Sequence, residues 1–129
     1  MKALHFPAAI TVLTVALLLA MSWIVIRARV RYRLAPPATT GDPGFERALR
    51  TQANTVEAAV AFLPALWLFA LYQDPAWAAA LGAVWLVGRI GYAIGYLADA
   101  PRRFPGFVVS TAAVVALVLG AATGIVRAL

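Results

Sequence analysis

At 129 residues the chain has room for one domain, but 64% hydrophobic residues against 12% charged ones leave too little polar surface to coat a water-soluble core. The net charge of +6 calls for no nucleic acid, because arginine collars around membrane spans meet anionic lipid headgroups. There is no cysteine, which excludes disulfides, a protein thiol nucleophile and thiolate metal sites, so any sulfur chemistry must come from a ligand.

A membrane helix needs roughly 20 mostly apolar residues, since about 30 Å of hydrocarbon is crossed at about 1.5 Å per residue. Residues 6–26 and 104–126 meet that length without a charge. Residues 51–73 and 75–98 are also long enough but carry Glu57 and Arg89. An all-α integral membrane four-helix bundle is expected, filling residues 1–129 with helices near 6–33, 45–73, 75–98 and 104–127. Four such segments on short connections leave nothing but lipid to cover them, which sets aside the buried helices of a large soluble protein.

Lys2 ahead of an apolar run has the look of a secretory signal, but Arg27, Arg29, Arg31 and Arg33 follow the run and orient it the other way. Together with Arg47 and Arg50 they make the first connection strongly basic; the third carries Arg102 and Arg103, whereas the second has only Asp74. By the positive-inside rule, connections one and three face the cytoplasm and both termini lie on the opposite side. His5, the single histidine, has no partner at metal-ligand spacing and reads as an interfacial residue, so no metal site is expected.

The first connection, APPATTGDPGFE, breaks the helix with Pro36, Pro37, Gly41, Pro43 and Gly44. Thr40 or Asp42 is placed to cap the second helix, with Glu46 in its positive first turn. Pro64 within that helix should remove one backbone hydrogen bond and bend it. QDP at 73–75 makes a tight turn with Pro75 opening helix three, and DAPRRFPG at 99–106 is a stiff third turn. On helix three Gly88, Gly91 and Gly95 form a strip where another helix can approach closely.

At about 100° per residue, Arg47, Arg50, Asn54 and Glu57 share a sector of roughly 80° on helix two, a polar face running down into the membrane. An ionised group at mid-bilayer costs about 2.5–3.5 kcal/mol, so Glu57 should face protein or water and have a partner, for which Arg89 is available. Tyr92 and Tyr96 lie within about 60° of Arg89 on helix three. An isolated Glu57–Arg89 pair that fixes helix register would leave Arg50, Gln52, Asn54, Tyr92 and Tyr96 unexplained. The set suits a small zwitterionic ligand with several carboxylates and amides: arginines fork onto carboxylates, Glu57 takes an ammonium, and Asn54 and Gln52 read amides.

The segment FERALRTQANTVE resembles the second-helix signature of the membrane-associated proteins in eicosanoid and glutathione metabolism, the MAPEG family, with Arg50, Gln52, Asn54 and Glu57 in register. RYRLAPPATTG is similar to that family's first loop, and GRIGYAIGY with APRRFPG to its third helix and following turn, so the likeness covers most of residues 27–110. The resemblance implies a homotrimer with glutathione as co-substrate between adjacent subunits near the cytoplasmic face. By position it assigns Arg50, Asn54, Glu57, Tyr92 and Tyr96 to one side of the tripeptide, Gln52 and Arg29 to the neighbouring chain, and Arg103 to the sulfur. It implies a glutathione transferase acting on hydrophobic or lipid-like electrophiles, with lipid hydroperoxide reduction as a related activity. Two positions depart from the pattern: Ala58 stands where a tyrosine is usual, and Val60 where a proline is, with Pro64 further on. The alternatives are a non-catalytic lipid-binding helper of the same family and a small multidrug transporter; a transporter's glutamate must cycle a proton, and Glu57 lies among arginines.

Overall fold

A computed structural model describes residues 3–129, with Met1 and Lys2 outside them, and those residues contain helices and no strand. The first helix, α1, runs His5–Tyr32. It ends where Arg33 turns left-handed at φ 56°, letting the amide of Leu34 reach the carbonyl of Arg29 at 3.0 Å. Inside this apolar span the hydroxyls of Thr11 and Thr14 donate to carbonyls one turn earlier, at 2.9 and 2.8 Å, so neither meets lipid unsatisfied.

Helix α2 spans Pro43–Tyr72, starting two residues earlier than the hydrophobic pattern indicated because Asp42, not Thr40, is its cap. The Asp42 Oδ1 accepts from the Gly44 amide at 2.7 Å, and Pro43 occupies the position where a missing N–H costs nothing. Glu46 reaches back to accept from the Gly41 amide at 3.2 Å, placing a carboxylate over the helix's positive end. The helix continues unbroken past Pro64. Helix α3, Pro75–Ala98, is capped by Asp74, whose Oδ2 accepts from the Trp77 amide at 2.8 Å. A short 3-10 turn, Ala100–Arg103, leads into α4, Phe104–Ala128.

All four helices are long and apolar enough to cross a membrane. They bury aromatic and small residues toward one another: Phe62 of α2 and Trp85 of α3 stack with centroids 3.9 Å apart and planes 3° from parallel, both fully buried beside Leu66 and Leu117. Outward they show Val12, Leu19, Val60, Val87, Ile94 and Leu119, each well exposed, which water would penalise and acyl chains do not. A second core of Val25, Phe45 and Ala48 closes the end that carries the first and third connections. At the opposite end, the Gln73 Nε2 donates to the Gly120 carbonyl at 2.6 Å and Arg127 donates to the Gln73 Oε1 at 2.6 Å, tying the α2–α3 turn to α4.

Glycines decide how closely α3 and α4 approach. A Cβ on Gly88 would lie 2.8 Å from the Ser110 amide nitrogen, and one on Gly106 would lie 2.7 Å from the Tyr92 Cα. A Cβ on Gly95 would overlap the Arg102 carbonyl. Gly91 differs from the expected strip: it is exposed and a Cβ there would meet nothing within 4 Å, because it faces away from α4.

Candidate functional site: a polar pocket beside an apolar chamber

The polar faces anticipated on α2 and α3 converge. A pocket of about 280 Å³ is lined by Arg50, Ala53, Asn54 and Glu57 from α2, Tyr92 and Tyr96 from α3, and Arg103 from the end of the 3-10 turn. Residues 50, 54 and 57 meet there because steps of four and three return to one helix face. Tyr92 and Tyr96 are likewise one turn apart and pack edge to face, their centroids 5.6 Å apart.

Arg103 reaches the pocket because the chain doubles back tightly after α3. The absent side chain at Gly95 lets the 3-10 turn lie against the helix, and there Arg103 Nη1 donates to the Ala100 carbonyl at 2.7 Å. The Arg103 guanidinium sits 5.2 Å from the Tyr96 ring centre, a cation–π contact that holds it over the pocket. The lining offers guanidinium, phenol and amide donors against a single carboxylate, Glu57.

A second cavity, about 300 Å³, shares Asn54 and Glu57 with the first. Its walls are otherwise mainly apolar: Ala58, Ala61 and Trp85, with Phe107, Val114 and Val115 from α4, while Ser110 and Thr111 contribute hydroxyls and Arg89 of α3 an edge of its guanidinium side chain. Ala58 sits on this chamber, where a tyrosine ring would occupy space that alanine leaves open. The stacked Phe62–Trp85 pair backs it, a feature no sequence periodicity had distinguished from ordinary core.

Three expectations need correction or refinement. Arg89 does not pair with Glu57: its Nη2 donates to the Asn54 Oδ1 at 3.0 Å and to the Thr55 Oγ1 at 2.9 Å, and its guanidinium lies 3.9 Å from the Tyr92 ring centre. The reason is angular, since Asn54 and Thr55 turn toward α3 while Glu57, at the edge of the polar sector, is exposed on the protomer surface. Arg47, read as part of the same stripe, has its Nε bonded to the Leu97 carbonyl at 3.3 Å, at the C-terminal end of α3. Gln52 and Arg29 lie away from the pocket: Gln52 donates to the Ser22 Oγ of α1 at 2.9 Å. Arg29 Nη1 donates to the carbonyls of Leu34 and Ala38 at 3.0 and 2.9 Å, above the Phe45 ring.

Fold and site together define an integral, multi-pass, four-helix membrane protein with a donor-rich pocket at one end of the bundle. The chain belongs to the MAPEG family, whose profile matches residues 7–123. It is 52% identical over 118 residues to an uncharacterised protein of Synechocystis, covering 92% of this chain and 86% of the relative. It is 40% identical over 99 residues to human microsomal glutathione S-transferase 2, covering 77% of this chain and 67% of that enzyme. Bovine leukotriene C4 synthase is 39% identical over 118 residues, covering 92% of this chain and 79% of the relative.

Proposed function

We propose that this protein is a membrane-embedded glutathione transferase that conjugates glutathione to hydrophobic electrophiles, and that the same thiolate also reduces lipid hydroperoxides. The observation that carries the reading is the shared wall: Asn54 and Glu57 line both the donor-rich pocket and the apolar chamber. A polar thiol peptide in the first and an oily electrophile in the second would meet at that boundary. The names of two relatives, a microsomal glutathione S-transferase and leukotriene C4 synthase, support the same chemistry.

In this reading Arg50, Asn54, Tyr92 and Tyr96 hold the carboxylates and carbonyls of glutathione while Glu57 takes its ammonium. Arg103 donates to the sulfur. A free cysteine thiol has a pKa near 8.5, and a guanidinium hydrogen-bonded to sulfur lowers it by favouring the thiolate. Arg103 acts electrostatically, through its charge and its N–H donors. The thiolate sulfur forms a bond to the electrophilic carbon, whose leaving group or opened epoxide oxygen departs with the electron pair. With a hydroperoxide, it attacks the terminal oxygen and expels the lipid alcohol, and a second glutathione releases the disulfide and water.

The assembly belongs to the proposal. Glu57 and Arg50 are exposed on one protomer at or near membrane depth, a costly arrangement until another subunit covers them. A homotrimer would supply that cover. It would also bring Gln52 and Arg29, which face away from their own pocket, toward a neighbour's site; Arg29 would do so with the guanidinium nitrogens left free by its loop contacts. The arginine-rich first and third connections support a cytoplasmic location for this end.

The test is a titration of purified protein with glutathione, followed by ultraviolet thiolate absorbance and by conjugation of a model hydrophobic electrophile. Thiolate formation with glutathione-dependent turnover is expected. Absence of both would move the protein to lipid binding without catalysis.

A further inference from the structure

We infer that Arg89, which lines the apolar chamber but not the donor-rich pocket, is a positioning residue that dictates which end of the Asn54 amide faces the ligand. The inference rests on the glutathione reading for its ligand, though the geometry behind it does not. Arg89 is 1% exposed, deep in the α2–α3 interface, and its Nη2 lies 3.0 Å from the side-chain oxygen position of Asn54.

The two ends of an asparagine amide are nearly indistinguishable in shape, and chemistry has to decide between them. A guanidinium has five N–H donors and no acceptor, so only the amide oxygen can face Arg89. That leaves the Asn54 Nδ2 as the end of the amide available to a ligand, and Asn54 lines both cavities. Arg89 is itself held against rotation. Thr55 Oγ1 accepts from the same nitrogen at 2.9 Å and the Tyr92 ring lies under the guanidinium at 3.9 Å.

The consequence is a specificity. With Arg50, Tyr96 and Arg103 also offering donors, and Asn54 locked as a donor, the ligand group opposite Asn54 must be an acceptor oxygen, a carboxylate or a carbonyl. Glu57 alone remains for the ligand's ammonium. Without Arg89, presenting Nδ2 to the ligand would leave the oxygen of the half-buried Asn54 without its partner, so the productive orientation would no longer be the preferred one.

The experiment is a double-mutant cycle on glutathione binding by calorimetry, using Arg89→Met, Asn54→Ala and the double variant in detergent. Each single change is expected to weaken binding about tenfold, the worth of one hydrogen bond to a charged group. If Arg89 acts through Asn54, the double variant loses no more than the worse single; additive losses would mean that Arg89 merely packs, and would overturn the inference. Asn54 is the only asparagine in the chain, so asparagine-selective 15N labelling reports on one side-chain amide without ligand. In the wild-type protein its protons are expected to exchange with water through the pocket, and protected protons would overturn the proposed orientation whatever the variants do. If wild-type protein takes up no glutathione, the functional reading fails while the exchange measurement still judges Arg89.

Discussion

Gly95→Ala probes how Arg103, the arginine proposed to donate to the sulfur, is delivered. The Cβ it adds would sit 2.8 Å from the Arg102 carbonyl carbon and overlap the attached oxygen. Carbon atoms in contact prefer about 3.5–4.0 Å, so the 3-10 turn must retreat by roughly 1 Å. Backbone atoms cannot rotate out of the way as a side-chain tip can. Arg103 is the next residue and moves with them, off its 5.2 Å seat over Tyr96. A misplacement of about 1 Å at a reacting group costs on the order of 100-fold in rate. Steady-state kinetics with glutathione and a hydrophobic electrophile should therefore show a large fall in kcat with little change in the KM for glutathione, and thiolate absorbance should drop in parallel. Gly91→Ala on the same helix is the control, since its Cβ would meet nothing within 4 Å, and activity should be unchanged. A Gly95→Ala protein of normal thermal stability with wild-type thiolate yield and turnover would refute the claim that the tight turn positions Arg103.

Arg103→Ala should lower kcat by about 10- to 100-fold, the worth of a charge-assisted bond of about 1.5–3 kcal/mol, while glutathione affinity falls only a few-fold. With the guanidinium gone the bound thiol loses what lowered its pKa, so the thiolate limb of the kcat–pH profile should move to higher pH; an unmoved profile would contradict the assignment. Ala58→Leu narrows the apolar chamber, and kcat/KM for a bulky electrophile should drop about tenfold with the glutathione KM unchanged, measured against a small electrophile that keeps its rate. Glu57→Gln removes the pocket's carboxylate and should raise the glutathione Kd about tenfold by calorimetry, with particle mass from sedimentation unchanged. A fall in particle mass would mean that Glu57 acts mainly in holding the proposed subunits together rather than in binding glutathione.

Much of this protein was readable from residue order alone. Helix count follows from span length, because a bilayer has one thickness and a helix one rise per residue, and the proline and aspartate signals located the helix starts at Pro43 and Pro75 to within two residues. The pocket residues of α2 and α3 were legible for a similar reason: helical periodicity puts positions three and four apart on a common face, and charge inside an apolar span is too costly to be incidental.

What periodicity cannot state is which residue on one face meets which on another, since that depends on axial offset, helix rotation and side-chain reach. Opposite charge made Glu57 the natural partner for Arg89, yet packing of α2 against α3 turned Asn54 and Thr55 toward it instead. Nor could the sequence separate Gly95, where the turn crosses the helix, from Gly91, where an added Cβ would meet nothing within 4 Å. Composition and spacing thus determined the membrane spans and the chemical character of each face. Only the tertiary structure decided how the faces register, because hydrogen bonds and close contacts are settled over distances smaller than a single helical step.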